Sequence, residues 1–223
     1  MKGLILNLPI RRRGGALSHK RYGPDLWGFL RRYGIITFYV VSFASGVLLG
    51  SLKADRAGEQ MMSSLDFLFT TNLSARLTAP MYMTFASSFA SNFLFLLSVY
   101  LLGLTAWGAC GIFIVVLFKG FGTGLCAGFL IINHGLKGLG FYLLIMLLGL
   151  FLFCFALILE ASQAHSMSLK IAGLLFFSKE GVEPLKVFLR GYSIRSFYML
   201  ILATAASVAD MLLWTLFAKV FFN

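Results

Sequence analysis

Five residues set groups able to bind ions or move protons inside or beside strongly apolar sequence: Lys119, His134, Glu160, His165 and Asp210. Their pattern argues against several chemistries. The sequence has no HExxH helix, no paired carboxylates and no Ser with Lys and His on a shared face. His134 and His165 flank a long apolar run, so they cannot share a metal ion across it. Cys110, Cys126 and Cys154 fall inside apolar runs without CxxC spacing, which supports neither a zinc site nor a disulfide framework. They read as small packing residues. No catalytic residue, metal ligand or cofactor is assigned.

Asp210 and Lys119 are the two intramembrane polar candidates. Asp210 stands in the middle of the last apolar run, beside Ala205, Ala206, Ser207 and Ala209, a small and polar face that should turn toward other helices. An ionisable side chain at such a depth is a functional candidate by default, and the alternative is a carboxyl group bonded to a neighbouring helix. Lys119 either snorkels to an interface or sits buried as a partner of Asp210; snorkelling is the expected arrangement. Glu160 and His165, near Ser162, Gln163, Ser166 and Ser168, read as a polar helix end at the membrane surface, and Asn133-His134 as a turn between spans.

Glycines form the other pattern. Gly46 and Gly50 are four apart, as are Gly120, Gly124 and Gly128. A four-residue spacing puts them on one helix face, and bare backbone lets another helix approach closely. In a soluble protein the glycines from 120 to 128 would suggest a phosphate loop, but the flanking strand and helix are missing and the surroundings are apolar.

Of the 223 residues, 59% are hydrophobic and 12% are charged, and the mean hydropathy is +0.88. Soluble domains are nearer 45–50% apolar, and roughly 20 consecutive apolar residues cross a bilayer. The expected fold is all-α: a polytopic integral membrane protein with five transmembrane helices and the lipid bilayer as its surroundings. The net charge of +11 does not point to nucleic acid, because the basic residues lie in two blocks abutting apolar runs. By the positive-inside rule those blocks are cytoplasmic, giving an N-terminus in and a C-terminus out.

The expected organisation is a basic cytoplasmic segment, residues 1–33, followed by a membrane domain, residues 34–223. Within the first, Pro24 to Arg32 reads either as a short interfacial helix or as a plain basic tail. Spans are placed at 34–52, 92–118, 120–136, 139–159 and 196–218, with an outer loop at 53–91 and an inner loop at 160–195. Two solutions exist for the region 92–132. Either a turn near Trp107–Gly111 leaves Lys119 well inside the third span, or one long tilted helix reaches Phe118 and Lys119 marks the cytoplasmic interface. The second is preferred, since a lysine at the bilayer centre costs about 3 kcal/mol. In the outer loop, Met61, Met62, Leu65, Leu68 and Phe69 recur at helical spacing, which suggests an amphipathic segment on the membrane surface.

Leu101-Leu-Gly-Leu-Thr-Ala-Trp-Gly108, Leu117-Phe-Lys-Gly-Phe121, Gly124-Leu-Cys-Ala-Gly-Phe-Leu130 and Gly135-Leu-Lys-Gly-Leu139 stand in one colinear block. Together with Ser42 to Gly50 and Phe85 to Asn92, they resemble the stage II sporulation protein M family over about residues 35–175. Members of that family carry a proline and polar residues in the fourth span, where this chain has the unbroken Leu147 to Cys154. The resemblance implies a non-enzymatic scaffold in the bacterial cytoplasmic membrane, at the sporulation septum. Its partners would be stage II sporulation proteins D and P, which remodel septal peptidoglycan during engulfment. The loop residues Leu65, Leu68 and Phe69 are the expected partner-binding surface. The rival reading is a small transporter or channel that uses Asp210 and Lys119.

Overall fold

A computed structural model describes residues 26–56, 65, 80–177 and 185–222, and almost all of these are helical. Helix α1 runs Leu26–Lys53 and ends in the short 3-10 turn Ala54–Arg56. Helices α2 (Met81–Gly103) and α3 (Gly108–Phe141) follow, then a π-helical turn Tyr142–Met146, α4 (Leu147–Phe177) and α5 (Leu185–Phe222). Five helical stretches are long and apolar enough to cross a membrane: Tyr33–Lys53, Met81–Gly103, Gly108–Asn133, Gly135–Phe176 and Lys186–Phe217. Large apolar side chains such as Val41, Leu48, Phe151 and Phe197 are exposed around the bundle. A soluble monomer rarely exposes so much contiguous apolar surface, so this coat suits lipid.

The helix boundaries correct the expected spans at 92–118 and 120–136. Helix α2 begins at Met81, about three turns before Asn92, so the chain between the first two spans is shorter than 53–91. The reason is the Ser- and Asn-rich run that looked like loop. Its polar side chains turn into the bundle: Thr84, Ser88, Ser91 and Asn92 are all buried. With those residues helical, α2 and α3 both have full length and the turn between them falls at 104–107. There Leu104 N–H donates to the Leu101 carbonyl at 3.1 Å, Thr105 N–H to Leu102 at 3.0 Å and Gly108 N–H to Thr105 at 3.3 Å. Ser168 Oγ of α4 donates to the Thr105 carbonyl at 2.8 Å, tying this turn to the fourth helix.

The expected inner loop at 160–195 is corrected as well, since α4 continues to Phe177 and α5 starts at Leu185. Polar side chains do not stop a helix when neighbouring elements receive them, as α1 receives His165 and the turn receives Ser168. The fourth apolar stretch opens at Gly135, where φ 55 and ψ −132 break α3. A positive φ is cheap only without a Cβ, which is why the break falls on a glycine.

Helix α1 packs chiefly on α3, whereas α2, α4 and α5 pack on one another. Tyr39 of α1 bonds to His165 of α4, so the start of α1, the turn, the end of α4 and the start of α5 gather at one end of the bundle, the turn end. The largest core cluster joins Tyr39, Phe95, Val99, Ile112, Val116, Phe153, Leu157 and Ala161. Near the far end a second cluster packs Phe141 edge-on against Trp214, with ring centroids 5.4 Å apart.

Candidate functional site

The sequence candidates separate into two places, a close-packed seam and a polar cavity. The seam is the contact of α1 with α3. A Cβ added to Gly46 would strike the Leu117 carbonyl oxygen, and one on Gly50 the Phe121 carbonyl oxygen. The reciprocal positions are equally tight: Gly120 abuts the Phe43 carbonyl, Gly124 the Val47 carbonyl and Gly128 the Ala54 methyl. All five glycines therefore sit where two backbones meet, the geometry expected when helices associate through van der Waals contact in the absence of a hydrophobic drive. By contrast, Gly34 and Gly173 meet nothing within 4 Å.

The cavity lies between α2, α3, α4 and α5. Ser88, Ser91, Lys119, Thr123, Cys126 and Asp210 line it, and its volume is about 60 Å³, room for a few waters. Lys119, expected at an interface, is instead only 6% exposed. The earlier turn explains the correction, because it leaves Lys119 about 16 Å along α3 from Gly108 at about 1.5 Å per residue. Its ammonium donates to Ser91 Oγ at 3.3 Å and lies 4.5 Å from the Phe95 ring centroid and 5.0 Å from that of Phe153. Two aromatic faces and a hydroxyl thus replace part of the water shell that the cation has lost.

Asp210 enters the same cavity from α5 and is 9% exposed. Helix α5 comes close to α4 here because position 149 is glycine: a Cβ would lie 3.0 Å from that of Asp210 and 3.2 Å from the Ala206 carbonyl oxygen. One turn away, Asn92 Nδ2 donates to Ser207 Oγ at 3.1 Å, and Ser207 donates to the Ala203 carbonyl at 3.0 Å. Thr123 Oγ1 donates to the Lys119 carbonyl at 2.9 Å. The arrangement can hold a cation, a carboxyl group and a few waters together within an apolar bundle. Ser91 Oγ and the Lys119 amine are the hydroxyl and the basic group that it sets side by side. Among the described residues, no three His, Cys, Asp or Glu side chains gather as a metal site.

Glu160 and His165, expected at a polar helix end, are placed differently. Glu160 is 1% exposed, and Ser196 Oγ of α5 donates to its Oε1 at 2.6 Å. His165 and the Tyr39 hydroxyl are hydrogen-bonded at 2.9 Å. The Tyr192 hydroxyl donates to the Tyr100 carbonyl at 3.1 Å while the two rings stack 5.1 Å apart. These ties carry α1 and α5 onto α4 and α2.

Ser207 lies on the face expected to turn toward other helices, whereas the roles of Ser91, Asn92, Thr123, Ser196 and Tyr39 are not apparent from the sequence. The available signal was spacing: Thr84, Ser88, Ser91 and Asn92 recur at i, i+4, i+7 and i+8, one face of a helix. Of the expected partner-binding residues, Leu65 is half-buried and packs against Leu125 of α3, while Leu68 and Phe69 lie outside the described residues. No protein-family model, curated protein or solved structure matches this chain.

Proposed function

We propose that this chain is a non-enzymatic scaffold of a bacterial cytoplasmic membrane, crossing it five times with its N-terminus inside and its C-terminus outside. One observation carries the reading. The polar groups of the cavity bond to one another at mid-bundle, and toward the turn end the described core is mainly apolar, with Val99, Ile112, Val116, Leu157 and Ala161 fully buried. Glu160, buried in that half, is tied to Ser196 of α5. This mainly apolar filling favours a tie between helices over the continuous polar lining that a conduit requires.

Charge supports the orientation. Lys170, Lys186, Arg190 and Arg195 lie toward the turn end, where the chain also arrives from its basic N-terminal segment. An excess of Lys and Arg marks the cytoplasmic side. The partner class rests on the sequence resemblance to stage II sporulation protein M: peptidoglycan-remodelling envelope proteins, such as stage II sporulation proteins D and P, held at the septum through the outer loop.

A second reading, a small transporter, is favoured by one feature. The buried stripe Thr84, Ser88 and Ser91 leads from the far end to the Lys119 cavity, as a half-access pathway would. Co-purification separates the two. Replacing Leu65, Leu68 and Phe69 by serine should release envelope partners and leave the bundle folded, whereas Asp210→Asn should retain them. Loss of cellular activity in Asp210→Asn, with partners and protein level unchanged, would overturn the scaffold and favour the transporter.

A further inference from the structure

At the turn end a second cavity opens between α4 and α5, with a volume of about 340 Å³. Its walls carry Lys170 and Arg195, one cation from each helix, together with Ser166 and Gln163. Lys170 is held in place: its ammonium lies 4.2 Å from the Phe188 ring centroid. Gln163 Oε1 is shielded from solvent and has no hydrogen-bond partner. Val187, an exposed apolar side chain, stands in its wall, and Leu169 and Ile194, also exposed, adjoin Lys170 and Arg195 in sequence. The level is fixed by Ser168, bonded to the α2–α3 turn, with the indole of Trp107 80% exposed in that turn. Exposed tryptophan at a helix end is the usual marker of the headgroup layer.

Two cations from different helices suit a phosphate, and the exposed apolar side chains beside them suit acyl chains. We propose that this cavity binds the headgroup of an anionic phospholipid, with phosphatidylglycerol as the probe. Basic pockets between helices on the cytoplasmic side are where such headgroups are held. The inference is independent of the scaffold role but rests on the proposed membrane orientation. An acidic protein segment fits less well, because the rim is apolar and lies at the bilayer surface.

The test uses the full-length chain in mild detergent, measuring lipid retention by native mass spectrometry and affinity by titration. Phosphatidylglycerol should be retained and phosphatidylcholine lost. Lys170→Gln with Arg195→Gln should weaken phosphatidylglycerol about 25-fold, at about fivefold per cation. Lys186→Gln, outside the cavity, should change little. Gly191→Leu supplies an independent check: a Cβ there meets nothing within 4 Å, so the fold should tolerate the side chain while it fills the cavity and blocks the lipid. Equal retention of phosphatidylcholine, full competition by soluble glycerol phosphate, or unchanged lipid binding in the double variant and Gly191→Leu would overturn the proposal. Release of a co-purified acidic protein by those variants, without any change in lipid, would overturn it in favour of a protein site.

Discussion

The seam between α1 and α3 and the cavity among α2, α3, α4 and α5 solve one problem in opposite ways. Helices surrounded by lipid gain little from burying more hydrocarbon, so something else must hold them together. In the seam nothing polar is used: glycines at 46, 50, 120 and 124 let backbone meet backbone, and dispersion does the joining. Around the cavity Lys119 and Ser91 bridge α3 to α2, and Asn92 and Ser207 bridge α2 to α5. The first arrangement is intolerant of added size and indifferent to charge. The second tolerates size and is intolerant of losing a partner. Helix α3 takes part in both, with its glycines toward α1 and Lys119 toward α2 and α4.

Added bulk in the seam should therefore do the most harm. Gly124→Leu drives a side chain into the Val47 carbonyl, which can yield only if α1 moves, so the loss should exceed the ~1–3 kcal/mol of ordinary overpacking. Reversible unfolding in mixed micelles should show it, while Gly34→Ala, in open space, stays within ~0.5 kcal/mol of the parent.

Loss of a partner in the cavity comes next. Lys119→Met should cost about 2–3 kcal/mol, because Asp210 and Ser91 lose the cation beside them. Adding Asp210→Leu to that variant should recover part of the loss. Strict additivity of the two changes in the same assay would mean that the groups act independently.

Smaller effects should follow from single neutral hydrogen bonds. Ser207→Ala removes the acceptor of Asn92 and should cost about 0.6 kcal/mol, the usual worth of such bonds between membrane helices. Tyr39→Phe should be of similar size and should loosen the junction of α1 with α4, seen as faster amide exchange around His165.

The apolar architecture was readable because runs of such length have one physical explanation, and the glycine pairs because a four-residue repeat fixes a helix face. The α2–α3 boundary was not. Ser87, Ser88, Ser91 and Asn92 have side chains suited either to water or to the inside of a bundle, and only the neighbouring helices decide between them. The error carried on to Lys119, since placing the turn at 119 gave the lysine water, whereas the fold gives it Phe95, Phe153 and Ser91. Glu160 was misjudged for the same reason: its stabilising partner, Ser196, is 36 residues away in sequence.

The central claim is that the cavity is a closed polar tie and not a step on a conduit. Thiol labelling in intact vesicles tests it most directly, with Cys110, Cys126 and Cys154 replaced by alanine. Val116→Cys and Leu157→Cys, introduced at fully buried apolar positions of the core, should react with a membrane-impermeant maleimide from neither face and should react once the protein is denatured. Trp107→Cys, exposed in the turn, should react from the cytoplasmic face throughout. Labelling of Val116→Cys from either face, at a rate approaching that of Trp107→Cys, would contradict the claim.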